Sequence, residues 1–124
     1  RQYPISIIIA DIDQLENINE AYGNLAGDQM IIDVSRLLVK VFRTEDVISR
    51  YGEDEFAVLL PQTDTAIIDI IMKRIDKQMN TYNKKHKERP MRLTFGFSTA
   101  EKGDSLKNHL KIAKKNLKQA KELK

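Results

Sequence analysis

The chain has 124 residues, a formal net charge of +3 and no cysteine. This length allows one domain with a single core, and the lack of cysteine excludes disulfides and thiol chemistry. Charged residues make up 31% of the sequence, and no apolar run approaches the roughly 20 residues that a membrane helix needs. Because the chain begins at Arg1 without a methionine, we expect a single domain, residues 1–124, cut from a longer multidomain protein.

The first predicted element is a buried strand that ends in two carboxylates. The apolar run Ile5-Ser6-Ile7-Ile8-Ile9-Ala10 is followed by Asp11-Ile12-Asp13. After a short helix that ends near Gly23, apolar residues recur at helical spacing and predict an amphipathic helix over about residues 27–42. These apolar residues are Met30, Ile31, Val34, Leu37, Leu38, Val41 and Phe42.

The next predicted element is a β-hairpin with acid at its tip. The apolar runs Val47-Ile48 and Phe56-Ala57-Val58-Leu59-Leu60 flank Arg50-Tyr51-Gly52-Glu53-Asp54-Glu55, in which the glycine indicates the turn. Taken alone, Asp11-Ile12-Asp13 is more typical of a helix cap or a turn. Two acidic strand ends lying side by side, however, predict a site for a divalent metal ion.

The second half of the chain predicts two helices and a strand. Thr63 or Asp64 can cap a helix that ends before Pro90, residues 91–98 have a strand pattern, and residues 103–105 open a last helix. This order of elements is typical of an α+β fold with a ferredoxin-like split-βαβ core, in which helices pack on a mostly antiparallel central sheet.

Lysines are concentrated at positions 84–87 and 107–124. No aromatic residues alternate with them, so we interpret these segments as a solvated basic face and expect no nucleic-acid partner. His86 and His109 have no ligand-like spacing to each other or to an acid, and we expect both at the surface.

Taken in order, these segments resemble the GGDEF family, the domain that condenses two GTP into cyclic di-GMP. The resemblance implies the fold of nucleotidyl cyclase catalytic domains and a cytoplasmic location, or the cytoplasmic part of a membrane-anchored protein. The residues that carry it are Asp11-Ile12-Asp13, Asn19, Tyr22-Gly23, Gly27-Asp28, Arg43-Thr44-Glu45-Asp46, Arg50 to Phe56, Pro61 and Ala120-Lys121.

The resemblance also implies roles for individual residues. It assigns Mg²⁺ (or Mn²⁺) to Asp11, Ile12 and Asp54, and catalysis to Asp54 and Glu55, with Glu55 acting as a base or as a ligand. Oxygen ligands of this kind suit a hard cation that also binds phosphate.

Nucleotide binding is implied for Asn19, Asp28 and Lys121. Asn19 and Asp28 would read guanine, although Asn19 can also simply end the short helix and Asp28 can cap the long one. Lys121 would reach the phosphates, but one lysine in a lysine-rich segment can also match by chance.

An inhibitory site for the product is implied by Arg43, Asp46 and Arg74. Arginine pairs in a planar, bidentate way with guanine or phosphate. The alternative is an ordinary exposed pair of Arg43 and Asp46 between a helix and a strand.

Several residues depart from the family pattern. Glu53 replaces the second glycine of the signature, where we expect a strained positive φ, and Glu16 replaces a lysine, so both place negative charge near the triphosphate. Milder departures are Glu20 and Asn24, and Lys114 and Lys118 also differ from the family's residues.

The sequence therefore allows two functions. The domain is either an active diguanylate cyclase that works as a homodimer on GTP, which we favour narrowly, or a weak or inactive regulatory module. In the second case it binds GTP or cyclic di-GMP and signals to other domains of the full-length chain.

Overall fold

The structure is a computed structural model that describes residues 2–124. The elements of this part are, in chain order, β1 (Ile5–Ile12), α1 (Leu15–Tyr22), α2 (Asn24–Val41), β2 (Val47–Arg50), β3 (Glu55–Leu60), α3 (Thr65–Lys85), β4 (Leu93–Ala100) and α4 (Leu106–Glu122). The predicted order of elements and the α+β class are confirmed. None of the helices in this part is both long enough and apolar enough to cross a lipid bilayer.

The four strands form one sheet in the order β2-β3-β1-β4, and each neighbouring pair is antiparallel. The central strand β1 is buried along its whole length, which explains why its sequence is a nearly continuous apolar run. On one face, Ile8 and Ile12 pack in the main core under α2 and α3. On the other face, Ile7 and Ile9 pack against α4.

The helix α4 lies in direct backbone contact with β4. Gly96 pairs with Ile9 of β1, and a Cβ atom at Gly96 would lie 2.2 Å from the carbonyl oxygen of Ala113 and 2.3 Å from the nitrogen of Leu117. The sheet and the helix therefore approach each other at this point more closely than any side chain would permit.

This contact fixes the relative position of residues further along both elements. Four helical residues rise about 6 Å, and two strand residues rise about 6.6 Å. Lys121, one turn beyond Leu117, therefore stands over Asp11, which lies two residues beyond Ile9.

Two element boundaries differ from the sequence prediction. The long helix begins at Asn24 rather than near residue 27, because the short helix ends at Gly23 and the next begins at once. The last strand begins at Leu93, since both backbone polar groups of Met91 bond the side-chain amide of Asn83, at 2.7 and 3.0 Å. Met91 therefore lies outside the strand ladder.

Side chains near the starts of α3 and α4 show which residue caps α3 and what His109 contacts. Asp64, and not Thr63, caps α3 by accepting a hydrogen bond from the Ile67 nitrogen at 3.0 Å. His109, which we expect at the surface, is only partly exposed and has an acidic partner. Its ring is half-buried and contacts Ser98 on one side and Asp104, at 3.2 Å, on the other, because the turn before α4 folds Asp104 back onto the helix.

We predict that Gly96→Ala lowers the free energy of unfolding by about 3 kcal/mol, because overpacking forces the α4 backbone away from β4. Gly103→Ala is the matched control: Gly103 has a φ of 94° with open space around it, so the cost there is only strain of about 1–2 kcal/mol. Urea unfolding followed by circular dichroism measures both. Equal stability of Gly96→Ala and the unmodified domain would contradict this contact.

Candidate metal and nucleotide site

Three carboxylates meet where β1 ends and β3 begins. Asp11 pairs directly with Glu55 across the two strands, so their side chains lie on the same face of the sheet. Asp54 is held beside them because its carbonyl accepts a 2.8 Å hydrogen bond from the Ile12 nitrogen. Carboxylate oxygens of Asp11, Asp54 and Glu55 all lie within 4.8 Å of one another. The structure thus brings together the residues that the sequence assigns to metal binding and catalysis.

The buried carboxylate of Asp11 has one occupied oxygen and one free oxygen. Its Oδ2 forms an ion pair with the Lys121 Nζ at 2.6 Å, whereas its Oδ1 is buried and has no hydrogen-bond partner among the described residues. An unsatisfied buried oxygen costs roughly 1–3 kcal/mol, and a cation bound between the three carboxylates would satisfy it. The residues present therefore fit Mg²⁺ or Mn²⁺, which prefer oxygen ligands.

The electrostatics of the cluster favour a bound cation. Burial raises the pKa of Asp11, and the nearby charges of Asp54 and Glu55 raise this pKa further, while Lys121 opposes them. The hydrogen bond to Asp11 raises the pKa of Lys121, so this ammonium stays charged. Three acids at this separation repel one another, and positive charge stabilises their ionised forms.

Asp13, the residue that directly follows β1, has a structural role. Asp13 accepts a 2.6 Å hydrogen bond from the Thr94 hydroxyl and forms a 2.6 Å ion pair with the Lys124 Nζ. Lys124 also donates to the Leu93 carbonyl at 3.2 Å. Both Asp13 oxygens are thus used in joining β1, β4 and the end of α4. Sequence reasoning missed Lys124, which lies just past the end of α4 and three residues after Lys121.

The hairpin tip is held by an arginine that donates hydrogen bonds to its backbone. The Arg50 guanidinium donates to the Gly52 carbonyl at 3.1 Å and to the Glu53 carbonyl at 2.7 Å. The positive φ of the tip, 148°, falls on Gly52, and Glu53 does not have one. The expected strain at Glu53 is therefore wrong, because the turn places its unusual backbone conformation one residue earlier.

The tip is also attached to α4. The Lys114 ammonium contacts the Tyr51 hydroxyl and lies 4.3 Å from the centre of the Tyr51 ring, within range of a cation–π interaction. Lys114, a departure from the family pattern, thus contributes to positioning the hairpin.

A pocket of about 300 Å³ opens beside the acid cluster and is lined by Leu15, Glu16, Asn19, Glu53 and Asp54. The two glutamates that depart from the family pattern therefore share a pocket with Asn19, the predicted guanine-binding residue. Lys121 is not among the lining residues and contacts Asp11 instead. Negative charge is thus concentrated on the Asn19 side of the cluster.

The Asn19 backbone ends α1, and its side-chain oxygen lies beside Gly27. Its carbonyl accepts a 2.8 Å hydrogen bond from the Gly23 nitrogen, while its buried Oδ1 has no partner within residues 2–124. A Cβ atom at Gly27 would lie 1.7 Å from this Oδ1, so Gly27 makes room for the amide. Asp28 is exposed and follows the start of α2 at Asn24. The alternative that Asp28 caps this helix is wrong.

Arg43 and Asp46 form an anchored pair rather than an ordinary exposed one. The Asp46 side chain is fully buried and binds the Arg43 guanidinium at 2.7 Å. The same guanidinium donates to the Pro61 carbonyl and the Thr63 hydroxyl, both at 2.8 Å. Arg74 is exposed on α3, and no contact joins it to Arg43 in the described part of the chain. The structure thus orients Arg43 and leaves Arg74 apart from it.

Comparison with known proteins gives one family model and relatives that include a cyclase and a phosphodiesterase. The family model described as "Diguanylate cyclase, GGDEF domain" matches residues 1–124. Diguanylate cyclase A of Treponema denticola is 36% identical over 75 residues, which are 60% of this chain and 20% of that protein. The cyclic di-GMP phosphodiesterase PdeR of Escherichia coli is 34% identical over 71 residues, 57% of this chain and 11% of that protein.

Solved structures agree in fold. The GGDEF domain of DgcB from Caulobacter crescentus, solved in complex with c-di-GMP, has a TM-score of 0.84 and 23% sequence identity, and the match covers 95% of this chain and 72% of that chain. The curated relatives are much longer proteins, of which this chain spans a fifth or less. Since the family model matches every residue of the sequence, the chain belongs to the GGDEF domain family of diguanylate cyclases.

Proposed function

We propose that this domain binds GTP together with Mg²⁺ and, as a homodimer, condenses two GTP molecules into cyclic di-GMP. The observation that carries the proposal is the cluster of Asp11, Asp54 and Glu55, whose oxygens converge within 4.8 Å beside the ammonium of Lys121. A carboxylate cluster next to a cation is what a metal–triphosphate complex requires, since the acids bind the metal and the ammonium binds phosphate.

Each residue of the cluster has a role in this proposal. Asp11, Ile12 and Asp54 hold the ion, which when bound stabilises the charge on the reacting phosphate oxygens. Lys121 binds the triphosphate, and the free amides at the start of α1, whose first two residues line the adjacent pocket, serve the same purpose. Glu55 supports the site as a ligand or as a base that accepts the proton of the attacking 3′-hydroxyl.

The reaction needs two copies of the domain. Within residues 2–124 there is one cluster of carboxylates suited to a metal ion, whereas condensation joins two nucleotides. Each protomer therefore presents one GTP to the other, and the 3′-hydroxyl on one side attacks the α-phosphate on the other.

A second candidate is a regulatory module that binds GTP or cyclic di-GMP without turnover. Three carboxylates, those of Glu16, Glu53 and Asp54, line the pocket that Asn19 enters, and no cationic residue lines it. Like charges about 4 Å apart interact by roughly 4 kcal/mol at an effective dielectric constant of about 20, and exposure to solvent reduces this value. The similarity to PdeR, a phosphodiesterase, supports a signalling role toward a neighbouring domain.

The proposed metal dependence is tested with Asp11→Asn and Asp54→Asn. Each variant should weaken GTP binding in Mg²⁺ by at least about tenfold, a change of roughly 1.4 kcal/mol, and remove the difference between Mg²⁺ and a chelator. Asp76→Asn, on the exposed side of α3, is the matched control. Isothermal titration calorimetry measures all three. If Asp11→Asn retains full affinity, the metal site is wrong.

The choice between cyclase and regulatory module is tested by Glu16→Lys combined with Glu53→Gly. Removing this negative charge should raise GTP affinity about tenfold and accelerate formation of cyclic di-GMP, because positive groups stabilise the charge of the transition state. Chromatography of the product from the full-length dimer is the measurement.

The control for this double variant is Glu88→Lys combined with Glu101→Gly, which makes the same charge change at exposed positions away from the pocket. If the unmodified dimer already turns over as fast as the double variant, the charges of Glu16 and Glu53 do not limit the reaction. If neither protein forms product, the regulatory function is favoured.

We also propose that Arg43 and Arg74 bind cyclic di-GMP at a separate inhibitory site, with the buried Asp46 orienting Arg43. Arg74→Ala should weaken this binding about tenfold without changing stability or GTP affinity. Arg43→Ala should also lower the free energy of unfolding by about 2 kcal/mol, since Asp46 is left buried without its partner. Calorimetry and thermal melts separate the two effects. Unchanged dinucleotide affinity in Arg74→Ala excludes Arg74 from the site.

A further inference from the structure

The ammonium group of Lys121 occupies part of the proposed metal site. Its Nζ lies 2.6 Å from the Asp11 Oδ2, and its side chain is about half exposed while that of Asp11 is almost fully buried. In this arrangement the carboxylate cluster already has an internal cation. A divalent ion that binds Asp11 must therefore either share the carboxylate with Lys121 or displace it.

Displacement has different consequences for a bare ion and for a metal–nucleotide complex. A bare divalent ion would leave the Lys121 ammonium without its anionic partner and beside a doubly charged cation, which repels it. A triphosphate that arrives with the ion offers Lys121 new anionic oxygens within reach. The exchange then replaces one charge-assisted hydrogen bond with another of the same type.

We propose that Lys121 makes this site selective for a divalent cation carried by a triphosphate over the bare cation. The inference rests on the proposed function, because it concerns the same metal cluster, and it adds that the ion and the nucleotide enter together. The Asp11 Oδ1 is buried and lacks a partner before the ion arrives, whereas Oδ2 is paired with Lys121 until that side chain moves to the phosphates.

Lys124 keeps the end of α4 in position while the Lys121 side chain moves. It binds Asp13 at 2.6 Å and the Leu93 carbonyl at 3.2 Å, so the end of α4 stays attached to β1 and β4 when Lys121 leaves Asp11. Both oxygens of Asp13 have a partner, because the Thr94 hydroxyl donates to the other one. We therefore assign the selectivity to the ion pair between Lys121 and Asp11.

The test measures Mn²⁺ binding by the loss of the electron paramagnetic resonance signal of free Mn²⁺, first with MnCl₂ alone and then with GTP added. Lys121→Gln should bind Mn²⁺ alone roughly tenfold more tightly than the unmodified domain, because the competing charge is gone. Lys121→Met, which lacks both the charge and the amide, should behave in the same way. Lys121→Arg, which keeps the charge, should resemble the unmodified domain.

The matched control is Lys118→Gln, since Lys118 is exposed on the same helix and removing it lowers the net charge equally. It should leave Mn²⁺ affinity unchanged. With GTP present, the advantage of Lys121→Gln should disappear, because the triphosphate then loses its contact with Lys121. Circular dichroism confirms that each variant is folded.

The outcomes separate this inference from the proposed function. If the folded Lys121→Gln and Lys121→Met variants bind Mn²⁺ alone no more tightly than the unmodified domain, or if Lys118→Gln has the same effect as they do, the selectivity role is wrong. If the unmodified domain fails to retain Mn²⁺ even with GTP, the proposed function is wrong. The comparison of the variants in MnCl₂ alone still decides the role of Lys121 in that case.

Discussion

The close contact between α4 and the strand pair β1–β4 determines where the functional groups lie. Gly96 lets the helix backbone approach the sheet, and from that point four residues of α4 cover nearly the same distance as two residues of β1. Lys121 and Asp11 meet as a result. The pairing of Asp11 with Glu55 adds the second requirement, because a shift of one residue would turn one of these carboxylates to the opposite face of the sheet.

Much of this fold is predictable from the sequence because its signals are local. The apolar run from Ile5 to Ala10 and the periodicity of α2 each indicate one element without reference to the rest of the chain. The start of β4 was misplaced for the opposite reason. The hydrogen bonds between the Asn83 side chain and Met91 depend on how α3 ends against the sheet. The strand pattern of residues 91–98 does not indicate these bonds.

The site was predictable to the extent that its residues stand at strand ends. Asp11, Asp54 and Glu55 converge as expected because antiparallel neighbours bring those ends together. The roles of Arg50 and Lys124 were not predictable, since each depends on the direction of a long side chain toward backbone carbonyls. Sequence spacing carries no information about that direction.

The backbone contacts of Arg50 have an evolutionary consequence. Arg50 binds the carbonyls of Gly52 and Glu53, and any residue at position 53 supplies the same carbonyl. That position can accumulate substitutions without unfolding the domain. The charge beside the carboxylate cluster can therefore change through position 53 while the fold that carries the cluster stays the same.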